Sequence, residues 1–193
     1  SVCLRRQCCA AQRRRWRASW SAEVRCTIRP PLARLADNPQ PLQLVELPAP
    51  EPGAGEVLVR VAACGVCHTE LDEIEGRTPP PRLPVAPGHQ AVGRVVATGP
   101  AVGQLSVGDR AGVAWIYSAC GECHWCRTGQ ENLCPQFRAT GRDAHGGYAE
   151  YMVVPEGFAF RIPDVFSDAQ AAPLLCAGAI GYRSLALTGI RDG

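Results

Sequence analysis

Apolar and polar residues alternate along most of the chain after residue 42, which is the pattern of half-buried β-strands. Over 56–63, Val57, Val59 and Val61 fall on one face, and Arg60 falls on the other. The same pattern predicts strands over 42–47, 91–98, 110–115, 149–154 and 158–162. Clusters of Gly and Pro separate these segments. Short strands with such turns predict a mainly β fold, either a partly open barrel or a sandwich.

The pattern changes near Ser167, where Gln170 follows at the spacing of a helix capping box. Apolar runs over 169–176 and 179–187 predict helices that are broken around Pro173 and Gly178. The sequence contains no internal repeat and no GxGxxG dinucleotide fingerprint.

Residues 1–23 differ from the rest, because they are rich in Arg, Trp and Cys and show no clear period. Three interpretations remain open for them: a non-native extension, which is the simplest, a mitochondrial transit peptide, or a nucleic-acid-binding arm. The predicted organisation is therefore an extension over 1–23, a β-rich domain over 24–166 and a helical connection over 167–193.

Composition excludes several classes of function. The net charge of +2 gives no general reason to expect nucleic acid as a partner, and no apolar run approaches the roughly 18 to 20 residues of a membrane span. The chain has 11 cysteines, and an odd number does not fit a complete disulfide framework. Their close spacing instead favours metal binding in a reducing compartment, so we expect a cytoplasmic protein.

Four of the cysteines form the pattern C-x2-C-x2-C-x7-C in a loop-like segment, at Cys120, Cys123, Cys126 and Cys134. Zinc takes four ligands at tetrahedral corners, and two-residue gaps allow neighbouring thiolates to reach one ion. Four Cys ligands leave no open position, so this pattern predicts a structural zinc. An iron–sulfur cluster is the main chemical alternative.

A second set of chemistry-bearing residues is dispersed along the sequence. Cys67 stands in GVCHT, His89 in PGH and Cys176 in PLLCAG. Spacing alone does not unite these residues, although two Cys, one His and a water form the ligand set of a catalytic zinc in alcohol dehydrogenases.

These motifs, together with the CGxCxxC segment and the GGYAEY segment at 146–151, occur in one characteristic order. In this order the chain, from about residue 42 to its end, resembles the GroES-like catalytic domain of zinc-dependent medium-chain alcohol dehydrogenases. The resemblance implies a partly open β-barrel with a zinc-binding lobe, followed by helices that lead to an α/β Rossmann domain absent from this sequence. We therefore expect the chain to be truncated.

The resemblance also implies roles for individual residues. Cys67, His89 and Cys176 would bind the catalytic zinc. Thr69 would contact the substrate oxygen and relay its proton, Glu70 would orient His89, and His68 would contact the cofactor pyrophosphate.

Two positions depart from the family pattern. Gln90 stands where many members have Glu beside the zinc, and an amide cannot be an anionic ligand. Asp72 stands where many members have the last His of the proton relay. Asp72 could accept the proton, or a water route could replace it.

The predicted function is the interconversion of alcohols with aldehydes or ketones, with two zinc ions per chain and NAD or NADP as the hydride carrier. The expected partner is a small alcohol or aldehyde, the expected assembly of the full-length protein is a homo-oligomer, and no nucleic acid or membrane is expected. We expect this chain alone to be inactive, because it lacks a dinucleotide site. The alternatives are a non-catalytic module that keeps only the structural zinc and a zinc-free reductase of the same superfamily, which the second ligand set argues against.

Overall fold

The computed structural model describes residues 23–28 and 42–190. The predicted extension over residues 1–23 and its cysteines at positions 3, 8 and 9 lie outside the described residues, except for residue 23 itself. Within the described part, no helix is both long enough and apolar enough to cross a bilayer.

A five-stranded antiparallel sheet forms the centre of the fold. Strands β3 (Glu56–Cys64) and β4 (Ala91–Thr98) pair at its middle. Strand β8 (Tyr151–Pro155) pairs with β3, while β5 (Arg110–Val113) pairs with β4 and, on its other side, with β9 (Ala159–Arg161). The sheet is a curled half-barrel, which confirms the prediction of a mainly β, partly open barrel.

Alternation along β3 determines which face of this sheet is buried. Val57 and Val59 are fully buried, Val61 packs against the same cluster, and Arg60 is exposed, as the sequence predicts. Leu58 departs from the alternation, because it lies on the face of Arg60 and is also fully buried. Facing residues of the other strands complete this core, including Val95, Val113, Met152 and Val154. Burying side chains of this size contributes roughly 1.5–3 kcal/mol each relative to exposure.

Two smaller antiparallel ladders flank the sheet. Strand β1 (Glu23–Ile28) pairs with β2 (Gln43–Pro48), and the Arg25 guanidinium donates to the Glu150 carboxylate at 2.8 Å. Strand β6 (Ile116–Ser118) pairs with β7 (Arg138–Ala139). The β6–β7 pair brackets the four-cysteine segment.

The helices are short and lie around the sheet. They are α1 (His68–Ile74), α2 (His124–Arg127), α3 (Asp168–Ala171) and α4 (Ala177–Thr188), with a 3₁₀ turn over Ala172–Leu175 between α3 and α4. The predicted capping box at Ser167 is confirmed, because its hydroxyl accepts from the Gln170 N–H. Ala171 and Ala172 pack with Val92 on the second face of the sheet, and this contact fixes the chain just before Cys176.

The boundaries differ from the prediction in several places. The predicted break near Pro173 is confirmed, but the break at Gly178 is wrong: the chain changes direction at Cys176, and Gly178 lies inside α4. The sequence pattern missed α1 altogether. That helix is short and polar, and its N-cap is a Cys rather than a Ser, Thr, Asp or Asn.

Candidate metal centres

The four-cysteine segment folds into a compact lobe, in which the short helix α2 reverses the direction of the chain. Its four thiol sulfurs lie within 4.8 Å of one another. The Cys126 sulfur lies 3.8 Å from that of Cys120 and 3.5 Å from that of Cys123. Four ligands at a Zn–S distance of about 2.3 Å stand about 3.8 Å apart along the edges of a tetrahedron. The lobe therefore has the donor set and spacing of a closed tetrahedral site.

Backbone N–H groups surround these sulfurs. Cys123 donates to the Cys120 sulfur at 3.4 Å, and Gln136 donates to the Cys134 sulfur at 3.3 Å. The N–H groups of Glu122 and Cys123 lower the pKa of the Cys120 thiol to about 6. These donors favour the thiolate, which is the form that binds metal.

The second cluster gathers three residues that are far apart in sequence. Cys67 caps α1, His89 stands just before β4, and Cys176 lies between the 3₁₀ turn and α4. Their ligand atoms lie within 4.8 Å of one another, and the Cys67 sulfur is 3.5 Å from His89 Nε2. For a tetrahedral zinc with one sulfur and one nitrogen ligand, that edge is about 3.6 Å. The three donors thus fit a metal that keeps its fourth position open.

Glu70 connects two of these residues. Its Oε1 accepts from His89 Nδ1 at 2.5 Å, and both side chains are about 2% exposed. Its Oε2 accepts from the Cys67 N–H at 2.8 Å. Because Nδ1 is the donor, the His89 nitrogen that faces Cys67 carries a lone pair.

The charge state of Glu70 agrees with this role. Burial by itself raises the pKa of Glu70, but the hydrogen bond from His89 and the electrostatic attraction of its ring, together with backbone N–H donors, outweigh burial and lower it. A carboxylate therefore supports the imidazole, the arrangement that orients histidine ligands at metal sites.

Comparison with known proteins identifies the fold that carries these two clusters. Residues 53–164 match the family model described as "alcohol dehydrogenase GroES-like domain". The chain belongs to this family.

Relatives of this GroES-like domain are dehydrogenases and reductases. An alcohol dehydrogenase of Geobacillus stearothermophilus is 47% identical over 155 residues, which cover 80% of this chain and 46% of the relative. The structure of a cobalt- and zinc-bound thermostable alcohol dehydrogenase from Pyrobaculum aerophilum matches with a TM-score of 0.72 and 34% identity, over 83% of this chain and 48% of that one.

A third relative carries a nicotinamide cofactor. Acetophenone reductase from Geotrichum candidum in complex with NAD matches with a TM-score of 0.77 and 28% identity, over 90% of this chain and 50% of that one. The chain spans about half the length of these relatives.

The remaining predicted site residues of the GroES-like domain lie on or near α1. Thr69 is half-buried in the first turn, and its N–H donates to the Cys67 sulfur at 3.3 Å. His68 is exposed and lies 3.6 Å from the Asp72 carboxylate. Asp72 also accepts from Arg77 Nε at 2.5 Å. Arg77 is a partner that the sequence pattern did not indicate.

Gln90 is fully enclosed behind the second cluster. It is 2% exposed, and its carbonyl end packs against Gly65, where a Cβ would approach Oε1 to 3.0 Å. Its Nε2 has no hydrogen-bond partner among the described residues.

Trp115 and Cys64 are two further neighbours of residues in the second cluster. The rings of Trp115 and His89 meet in a T-shaped pair, with their centroids 5.1 Å apart. No sequence pattern indicated this contact, because tryptophan is not a metal ligand. Cys64, which forms a C-x2-C pair with Cys67, is a free thiol, and burial raises its pKa to about 12. A C-x2-C pair can also be a redox pair, but a thiol whose pKa is raised by burial does not favour that alternative.

Proposed function

We propose that the protein is a zinc-dependent oxidoreductase that interconverts alcohols with aldehydes or ketones by hydride exchange with NAD or NADP. The observation that carries this proposal is the three-donor cluster of Cys67, His89 and Cys176, which leaves one tetrahedral position open. The similarity to an alcohol dehydrogenase and to a reductase in complex with NAD supports it.

In this proposal the two clusters hold one zinc each. The closed cluster of four cysteines is structural, because no coordination position remains for a substrate. At the open cluster, a bound zinc would act as a Lewis acid toward a substrate oxygen. Small alcohols and carbonyl compounds are the substrates that such chemistry favours.

The side chains around the open cluster have distinct proposed roles. Glu70 keeps His89 in one orientation, with its Nε2 lone pair directed at the site. Thr69 is the first residue to receive the hydroxyl proton, since its backbone already contacts Cys67. Asp72 lies one turn further along α1, where Arg77 and His68 hold its carboxylate as a further stage of the relay.

The remaining assignments are also proposals. The exposed His68 would contact the cofactor pyrophosphate, and Gln90 would pack beside the metal without binding it. The cysteines of both clusters are free thiols, so we propose a reducing, cytoplasmic compartment. A homo-oligomer remains the expected assembly.

An experiment with cobalt tests the open position directly. Cobalt(II) replaces zinc and gives visible bands that depend on its ligands. We expect the cobalt-loaded chain to show bands that shift when a primary alcohol is added. The alcohol-sensitive part should disappear in Cys176→Ser and persist in Cys123→Ser.

The competing function is a non-catalytic module that binds only the zinc of the four-cysteine lobe. In that case no alcohol-sensitive band would appear, and Cys176→Ser would leave the spectrum unchanged. We expect little or no alcohol turnover with NAD or NADP by the 193-residue chain itself, because its sequence contains no dinucleotide fingerprint. Robust turnover would contradict that expectation.

A further inference from the structure

A cavity of about 560 Å³ is lined by residues of β1 and β2, of the loop that precedes His89, and of the segment from β7 to β8. This volume falls in the range of small-molecule pockets, about 300–1,000 Å³. None of its lining residues belongs to either metal cluster. The cavity is therefore separate from the sites described above.

Its floor is apolar and belongs to the folded core. Cys26, Val85, Ala86 and Met152 contribute to the lining, and each is at most 5% exposed. These side chains are held in place by the sheet and by the bridge between Cys26 and Ala149. The floor therefore offers a preformed apolar surface to the body of a ligand.

The charged lining has an excess of cations. Arg82, Arg138 and Arg142 line the cavity, and Asp143 is the only acidic residue among the lining residues. The Asp143 carboxylate is already within 3.3 Å of the Arg142 guanidinium and also accepts from the Ala139 N–H at 2.7 Å. It does not neutralise the other two arginines.

The two remaining arginines differ in how they are held. Arg138 donates to the backbone carbonyl of Asp143 at 2.8 Å, and its guanidinium lies 5.2 Å from the centre of the Tyr117 ring. These contacts fix it at one side of the cavity. Arg82 is exposed, and it makes no hydrogen bond or ion pair with any residue in the described ranges. A free guanidinium with five donors is well suited to a carboxylate.

His145 adds a neutral donor to the same lining. Its Nδ1 accepts from the Ala86 N–H at 3.1 Å, so its Nε2 carries the hydrogen. Partial burial lowers the pKa of His145, so the ring is neutral at pH 7. The cavity thus combines an apolar floor with a neutral donor and an excess of positive charge.

We propose that this cavity binds a small organic carboxylate, with the apolar body of the ligand on the floor and its carboxylate at Arg82. Charge complementarity decides between this occupant and a neutral apolar molecule, because a neutral ligand would leave the excess positive charge unmatched.

Isothermal titration calorimetry with naphthoate tests the proposal. We expect naphthoate to bind the zinc-loaded chain at least ~10-fold more tightly than neutral naphthamide, the difference of one charge-assisted hydrogen bond. Arg82→Gln should remove most of that difference. Arg60→Gln is the matched control, since Arg60 is exposed on β3 and does not line the cavity.

The alternative location for a carboxylate is the open metal cluster. Binding that is unchanged in Cys176→Ser supports the cavity, and binding that is lost in this variant overturns the proposal. Equal affinities for naphthoate and naphthamide, or no binding of naphthoate, would also overturn it. Because Cys176→Ser removes the proposed catalytic zinc, failure of the cavity proposal is distinguishable from failure of the enzymatic one.

Discussion

The two metal centres are built in opposite ways. All four donors of the lobe come from residues 120–134, and tight turns with backbone N–H···S contacts hold them. The three donors of the open cluster come from positions 67, 89 and 176, and the sheet, α1 and the 3₁₀ turn bring them together. One centre is organised by its own segment, whereas the other depends on the whole fold.

The two sites therefore differ in what stabilises them. In a small lobe with little apolar core, the free energy of metal binding is also the free energy of folding. The open cluster instead lies beside a sheet that buries its own valines, so we expect the fold around it to form without an ion. The positions of its three donors depend on contacts between distant segments, especially those of Glu70 and the close packing of glycine backbones.

The largest expected effect follows from removing a donor of the lobe. Structural zinc contributes about 10–16 kcal/mol in small zinc domains, so loss of one of four ligands in Cys134→Ser should cost about 3 kcal/mol or more. We expect the lobe to unfold locally while the second zinc remains bound. Zinc analysis and thermal unfolding measure both effects.

Cys26→Ala is the control, because Cys26 is buried but belongs to neither cluster. It should leave the zinc content unchanged. Loss of both zinc ions in Cys134→Ser would contradict the independence of the two sites, because it would show that the lobe supports the distant site.

The next effect concerns packing between distant segments. A Cβ at Gly146 would stand 2.1 Å from the Gly88 carbonyl oxygen and 2.7 Å from that of Pro87, so the backbone beside His89 must move. We expect Gly146→Ala to weaken metal binding at the open cluster by at least ~10-fold, a shift comparable to other disturbances around metal ligands. The lobe should keep its zinc.

Gly157→Ala provides the matched control, because a Cβ there meets nothing within 4 Å. Competition with a chromophoric chelator measures the two zinc affinities separately. Equal behaviour of the two alanine variants would show that the open cluster does not depend on this packing.

A smaller effect is expected from Glu70→Gln. The amide keeps one of the two accepting oxygens but loses the other and the charge that supports His89. We expect the lower end of the range typical of such substitutions, a loss of about 10-fold in metal affinity. Glu75→Gln at the C-terminal end of the same helix is the control, since Glu75 pairs with Arg77 outside the cluster. An unchanged affinity in Glu70→Gln would mean that the fold alone orients His89.

The sequence predicted the regular parts of this structure well, because alternation is a direct consequence of strands whose two faces meet different surroundings. Strand β4 has the predicted bounds, and β3 extends one residue beyond its prediction. Strand β5 ends at Val113, two residues early. Helix α1 was not predicted, because a Cys stands at the position of the usual capping residue. Its buried residues, Glu70 and Glu73, are also acidic, so they give no apolar pattern.

The two centres also differ in how much of each ligand set the sequence alone predicts. The spacing of the four cysteines is sufficient to predict a local site, since short gaps limit the geometry. For Cys67, His89 and Cys176 the spacing carries no such information, and only the family resemblance united them. Arg77 and Trp115 could not be anticipated, because their contacts depend on loop conformation and sheet packing rather than on any pattern.

The measurement that tests the account most directly is the number of zinc ions per chain, by elemental mass spectrometry of the wild type and two variants. We predict two zinc ions in the wild type, one in Cys176→Ser and one in Cys123→Ser. A single zinc in the wild type that persists in Cys176→Ser and disappears in Cys123→Ser would contradict the account, because only the lobe would then be a metal site.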